Sequence, residues 1–130
     1  MASVQLLLRG DLAFVTATLR YRGATVEIPD VLLDTGATST VLNADAAAEA
    51  GVLLGHGDRL RMLRGVGGRE YVFVRHVDRL AIGEHGLDNF EVEIGELDYG
   101  IEIGGILGMD FLRAAGAIID LRDSTLELSI

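Results

Sequence analysis

The sequence contains no cysteine, which excludes disulfide bonds and thiolate zinc sites. It also lacks a long apolar run. The N-terminal run at residues 4–8 ends at Arg9 and is too short to span a membrane. Positive charge is scarce, since 11 Arg and no Lys stand against 20 acidic residues. The net charge of -9 at pH 7 repels nucleic-acid phosphates and anionic lipids. We therefore expect no nucleic acid and no membrane among its partners, and a cytoplasmic location.

Metal ions and nucleotides lack their usual sequence signals as well. His56, His76 and His85 stand apart, with no paired spacing that would suit a metal ion. No Gly-Lys-Ser or Gly-Lys-Thr is present, which excludes a phosphate-binding loop of the common type. We expect no metal site and no cofactor.

Nearly half of the 130 residues are apolar (49%) and 17 are Gly, whereas Pro occurs once and aromatic residues make up 5%. This length and composition are typical of one compact, turn-rich domain covering residues 1–130. Two short helices are predicted, at 44–50 with Asn43 as the N-cap and at 111–115 with Asp110 as the N-cap. Many short strands with two small helices indicate a closed or nearly closed all-β fold. The strands are predicted at 4–8, 12–21, 24–28, 31–33, 40–42, 60–64, 71–82, 87–94, 101–107, 117–121 and 125–130.

An acidic loop follows the apolar segment 31–33. It reads Leu32-Leu33-Asp34-Thr35-Gly36-Ala37-Thr38-Ser39-Thr40-Val41-Leu42. This segment resembles the active-site loop of retroviral-type aspartic proteases, in which two apolar residues precede Asp-Thr-Gly-Ala and a Thr-Val-Leu strand follows. Asp-Thr-Gly is only three residues long and also occurs in Asx-type turns, so the loop alone leaves both interpretations open.

Two further segments extend the resemblance over roughly residues 12–130. Met62-Leu63-Arg64-Gly65-Val66-Gly67-Gly68 resembles the tip of the flap hairpin of that family, and Gly105-Ile106-Leu107-Gly108-Met109-Asp110-Phe111-Leu112 resembles the strand and helix beneath its catalytic loop. The chain is therefore similar to retropepsin-like aspartic proteases. This resemblance implies a six-stranded acid protease barrel with one or two short helices and a flap.

The resemblance also implies the roles of particular residues. Asp34 would be the single catalytic carboxylate, and Thr35 and Gly36 would support its loop. Because the sequence contains no second Asp-Thr-Gly or Asp-Ser-Gly, the second carboxylate must come from another copy in a homodimer. The expected activity is hydrolysis of peptide bonds in a peptide or protein substrate. Substrate-binding positions would be Ala37, Thr38, Gly65, Val66 and Gly67.

Two alternatives remain open from the sequence. A chain of this fold that stays monomeric would be a catalytically silent module that binds a peptide or protein. The segment could also be a domain excised from a polyprotein or a membrane-anchored precursor. Asp120 follows two apolar residues as Asp34 does, but no Thr-Gly comes after it, so we interpret Asp120 as structural.

The sequence departs from the retroviral pattern at several positions. Thr38 and Ser39 occupy places where retroviral enzymes carry acidic residues, and Met109 occupies the place of an Arg that supports their dimer. Pepsin-like enzymes have a hydroxyl residue where Ala37 stands, and that donor favours the ionised carboxylate. Without it, we expect any activity to peak at mildly acidic pH.

Charged residues in the second half form two groups. Seven acids lie between Glu84 and Glu102, and we interpret this run as a solvated face. Four Arg surround the hairpin tip, and we interpret them as a solvated strand face, with binding of acidic substrate residues as the alternative. The four Arg residues are Arg59, Arg61, Arg64 and Arg69.

By analogy with the family, the strands at both chain ends are expected to form an intersubunit sheet.

Overall fold

The computed structural model describes residues 2–65, 68–97 and 100–130. It contains eleven strands and two short helices within these ranges, so the predicted all-β class is confirmed. The helices are α1 (Ala44–Glu49) and α2 (Met109–Ala114). The strands are β1 (Ala2–Gln5), β2 (Leu7–Arg9), β3 (Leu12–Tyr21), β4 (Ala24–Leu33), β5 (Val41–Asn43), β6 (Leu60–Gly65), β7 (Gly68–Ile82), β8 (His85–Gly95), β9 (Gly105–Leu107), β10 (Ile118–Asp120) and β11 (Thr125–Leu128).

Eight strands form the main sheet in the order β2-β3-β4-β9-β5-β8-β7-β6. Because β3 pairs with β7 as well as with β4, six of these strands form a ring, β3-β4-β9-β5-β8-β7. Most neighbours are antiparallel, but β4 and β9 run parallel, as do β5 and β8. Each strand of the ring is paired on both sides, and its inward side chains meet in the interior. Short apolar strands can therefore form a stable sheet here.

The interior of the ring is apolar, and both helices pack against it. Leu19, Ile28, Leu42 and Leu107 from four different strands are fully buried there, together with Phe111 of α2. Phe111 meets Phe90 of β8 edge to face, with 5.6 Å between the ring centroids. These contacts fix α2 beneath the ends of the central strands. No helix in the described part of the chain has the length and apolar character needed to span a bilayer.

Strand β4 is longer than predicted. The sequence predicted two strands, 24–28 and 31–33, whereas the structure has one strand from Ala24 to Leu33. The residues between the two predicted strands form a local irregularity, because Asp30 has a φ of 57° and the register with β3 shifts between Val15 and Ala17. A β-bulge of this kind places an extra residue in one strand of a pair without ending that strand.

Three strands from the chain ends form a second, smaller sheet. Its order is β1-β11-β10, so β11 pairs with β1 along one edge and with β10 along the other. Both edges of β11 are thus occupied within the chain, and the intersubunit sheet expected at the chain ends stays a prediction. The predicted first strand is also divided, since Leu6 turns inward between β1 and β2 and its N–H donates to Ser124 O at 2.7 Å.

The segment between α1 and β6 is attached to the barrel by Arg75 of β7. Its guanidinium donates to Tyr21 Oη (2.9 Å) and Leu53 O (3.0 Å), and forms an ion pair with Asp58. The N–H of Gly55 and the guanidinium of Arg75 hold the pKa of the Asp58 carboxyl below its ordinary value. The arginine therefore ties an otherwise irregular loop to the sheet just below the hairpin β6–β7.

Candidate active site

Asp34 directly follows β4, where the two parallel strands β4 and β9 end side by side. Leu33 is in register with Leu107, and the N–H of Asp34 donates to Leu107 O at 3.1 Å. The backbone of Asp34 is thus fixed by the core of the sheet, while its side chain is only half-buried. This arrangement presents a carboxyl group at the edge of the barrel.

A tight turn follows the aspartate. The N–H of Gly36 donates to Asp34 Oδ1 at 2.9 Å, and the N–H of Ala37 donates to Asp34 O at 3.2 Å. The first contact is an Asx turn, a motif that also occurs in purely structural loops. Thr35 and Gly36 are exposed, so the tip of the loop is open to a molecule approaching from outside.

What distinguishes this loop is its attachment to α2. Ala37 O accepts the N–H of Met109 at 2.8 Å, and Thr38 O accepts the N–H of Asp110 at 3.2 Å. The first N–H groups of a helix have no acceptors within the helix. Here two loop carbonyls accept hydrogen bonds from them. Loop and helix therefore form one unit.

A buried side-chain contact strengthens this unit. Thr40 is fully buried, and its hydroxyl donates to Asp110 Oδ1 at 2.7 Å while accepting the N–H of Gly108 at 3.1 Å. The N–H of Thr40 donates to the other oxygen, Asp110 Oδ2, at 3.2 Å. Gly108 leaves room for this contact, since a Cβ there would lie 2.5 Å from Ser39 O. We call the group of Thr40, Gly108 and Asp110 the threonine clamp.

Beside the loop lies an open pocket with apolar walls. Thr35 and Leu33 form one side of it, and Ile119 and Leu121 form the side next to β10. Leu121 is 74% exposed and Ile118 is 52% exposed. The small terminal sheet therefore brings apolar side chains next to the acidic loop.

The hairpin β6–β7 lies at the edge of the main sheet, where β6 is the last strand. Its strands pair from Leu60↔Phe73 to Gly65↔Gly68. Arg61 of β6 forms an ion pair with Glu93 of β8, with 3.2 Å between Nη1 and Oε2. No group of three or more residues able to hold a metal ion occurs in the described ranges.

Comparison with known proteins identifies this architecture. A sequence model of the family described as aspartyl protease matches residues 15–111, well over half of the 130 residues. The chain belongs to the aspartyl protease family. The crystal structure of a retropepsin-like aspartic protease from Rickettsia conorii is similar to it, with a TM-score of 0.67 and 21% identity over 97% of this chain and 98% of that chain. No curated protein sequence matches the chain. The predicted membership of the aspartic proteases and the predicted retropepsin-like fold are confirmed.

Within this aspartyl protease fold, the predicted site residues fall into two groups. One group lies on the single loop that follows β4. The other belongs to the hairpin, where Gly65 ends β6 and Val66 and Gly67 lie outside the described residues. The assigned roles stay predictions. The loop group consists of Asp34, Thr35, Gly36, Ala37 and Thr38.

Sequence reasoning missed the threonine clamp and misjudged one acid of the retropepsin-like chain. Asp110 was expected to cap α2, but Gly108 is the N-cap and Asp110 lies in the first turn, where its carboxylate faces Thr40. Glu93 was assigned to a solvated acidic face, yet its side chain is 3% exposed. Glu93 alternates with Val92 and Ile94 of the core, so it lies on the other face of β8, and that face is also covered, which no local pattern indicates.

Asp120, the rival carboxylate, ends β10 and accepts the N–H of Asp123 at 3.0 Å in the turn to β11. That contact is local and fits the structural interpretation made from the sequence. The Arg residues near the hairpin also partly depart from expectation, since Arg61 and Arg59 both reach acids of β8.

Proposed function

We propose that this chain is an aspartic endopeptidase that acts as a homodimer, with Asp34 and the partner's Asp34 as its catalytic pair. The observation that carries the proposal is the carboxyl group of Asp34, fixed by its backbone to Leu107 O and by Oδ1 to the N–H of Gly36, at the open end of two central strands. Membership of the aspartyl protease family supports it.

A two-fold axis beside the loop would bring the two carboxyl groups face to face. Two carboxyls at short distance share one proton, because both cannot ionise cheaply. The ionised one takes a proton from a water molecule as that water attacks the scissile carbonyl carbon. The protonated one donates its proton to the carbonyl oxygen, and a proton then passes to the leaving nitrogen as the C–N bond breaks. No cofactor or covalent intermediate takes part.

The dimer would form through β10 rather than through β11. Both edges of β11 are occupied in the chain, whereas β10 pairs only with β11 among the described strands. Ile119 of β10 lines the same pocket as Thr35, so this edge is next to the acidic loop. Antiparallel pairing of β10 with its copy would join two three-stranded sheets, as a self-complementary edge allows. It would also cover Ile118 and Leu121.

The substrate would be an extended peptide lying between the hairpin β6–β7 and the loop. Such a peptide gains main-chain hydrogen bonds as an added strand does, and pockets formed by side chains select its residues. Ala37, Thr38, Gly65, Val66 and Gly67 are the proposed contact positions. Thr35 and Gly36 would support the loop.

The test compares the wild type, Asp34→Asn and Asp30→Asn on an unbiased peptide library, with the mass of the assembly measured alongside. Asp34→Asn should reduce cleavage at least about 100-fold, since a positioned acid or base contributes at least that much. Asp30→Asn is the matched control, because Asp30 lies in β4, the strand that Asp34 follows, and has a positive φ that Asn tolerates. Equal cleavage by wild type and Asp34→Asn would end the proposal, and a monomeric wild type would favour the silent binding module.

A further inference from the structure

Glu93 is an acid in an unusual position. Its side chain is 3% exposed, and Oε2 is paired with Arg61, whose own side chain is 45% exposed. The other oxygen, Oε1, is buried and has no hydrogen-bond partner among the described residues. A buried acceptor without a donor is destabilising, so a structural role alone does not account for it.

The strand registers show which face of the sheet Glu93 occupies. Residues directly opposite each other on paired strands share a face. Glu93 is opposite Val41 of β5, Val41 is opposite Ile106 of β9, and Ile106 is opposite Leu32 of β4. Ile106 and Leu32 belong to the small apolar cluster that also contains Ala37. Glu93 therefore lies in the same row of facing residues as this cluster, against which Ala37 of the acidic loop packs.

The other side of Glu93 is bounded by the hairpin. Val74 of β7 is opposite Glu93, and Arg61 of β6 reaches it diagonally across β7. The N–H of Glu93 donates to Thr40 O at 3.0 Å, which connects the residue to the threonine clamp. Glu93 thus stands between the hairpin and the loop, on the face where the proposed peptide would lie.

Glu91 provides an internal comparison on the same strand and the same face. It pairs with Arg59 at 3.9 Å, but its side chain is 42% exposed and that of Arg59 is 77% exposed. An exposed pair at this distance contributes little to stability or recognition. Of these two pairs, the one at Glu93 combines a buried carboxylate with an oxygen left for another donor.

We propose that Glu93 determines specificity, by using Oε1 to accept a hydrogen bond from a Lys or Arg side chain of the substrate next to the scissile bond. This inference rests on the proposed function. Arg61 holds Oε2 and partly neutralises the carboxylate, so it weakens the preference for a basic residue. Replacing Glu93 should therefore reduce the preference for a basic residue, and replacing Arg61 should increase it. If the ion pair were purely structural, both replacements would change this preference in the same direction.

The experiment measures binding on the Asp34→Asn background, so that it does not require cleavage. The peptides carry either Lys or its neutral counterpart norleucine at each position around a central bond, and affinities are measured by fluorescence anisotropy. We expect the Lys peptide to bind at least about tenfold more tightly at one position, as a charge-assisted hydrogen bond provides. Glu93→Gln should bring this ratio close to one, Arg61→Gln should raise it, and Glu91→Gln should leave it unchanged.

The outcomes separate this inference from the proposed activity. Cleavage by the wild type with an unchanged ratio in Glu93→Gln would overturn the specificity role alone. A ratio that depends on Glu93, found together with a wild type that cleaves nothing, would support the specificity role and overturn catalysis. If Glu93→Gln and Arg61→Gln shift the ratio in the same direction, or if no peptide binds, the role of Glu93 is overturned.

Discussion

Replacing Thr40 by Val tests whether the threonine clamp holds the acidic loop. Val keeps the β-branched shape but carries a methyl group in place of the hydroxyl. In the wild type, that hydroxyl donates to Asp110 Oδ1 at 2.7 Å and accepts the N–H of Gly108 at 3.1 Å. A hydrogen bond to a charged group contributes about 1.5–3 kcal/mol, and a buried N–H left without a partner costs about 1–3 kcal/mol. These effects overlap, so we expect a loss of about 3 kcal/mol in the free energy of unfolding. For a chain of this size, that corresponds to a fall in Tm of roughly 10 °C.

The assay is chemical and thermal unfolding followed by circular dichroism at one fixed protein concentration, because the stability of a dimer depends on concentration. The control is Thr25→Val, which makes the same chemical change at an exposed position of β4 and should alter stability by less than about 0.5 kcal/mol. A double-mutant cycle with Asp110→Ala should give a coupling energy of about 1 kcal/mol or more. A Thr40→Val variant as stable as Thr25→Val would refute the clamp.

Three further predictions follow from contacts around the site. Gly108→Ala should destabilise the chain by about 1–3 kcal/mol in urea unfolding, because the new Cβ would lie 2.5 Å from Ser39 O. Asp58→Asn should destabilise the chain at pH 7. The difference from wild type should shrink as pH falls below 3.8, because the lowered pKa of Asp58 stabilises the fold only while its carboxyl group is ionised. Ile118→Lys should raise the dimer dissociation constant at least about tenfold in analytical ultracentrifugation, with a folded monomer.

Each of these predictions has an outcome that contradicts it. For Gly108→Ala it is wild-type stability. For Asp58→Asn it is a stability difference from wild type that stays constant between pH 7 and pH 2. For Ile118→Lys, an unchanged dimer would move the interface away from β10, and the exposed Ile101 substituted by Lys is the matched control.

Some features of this protein are local and could be predicted from the sequence. The alternating pattern of residues 12–21 gives β3 with its predicted bounds, and Asn43 caps α1 as expected, its side chain accepting the N–H of Asp45 at 2.9 Å. The loop from Asp34 to Thr38 was found because its residue types are constrained within a few positions. Helix α2 was found too, but its cap was not, since Asp110 bonds to a residue 70 positions away.

The sequence by itself therefore determined the all-β class, the aspartic protease family and the acidic loop. Tertiary structure alone decided which strand edges stay open, because closure of the ring and the pairing of β11 on both sides depend on contacts between distant segments. It also decided that Glu93 is buried, since its side of β8 is covered by the hairpin and not by neighbours in sequence. Alternation within a strand assigns a residue to a face, but only the packing of other elements decides whether that face meets water.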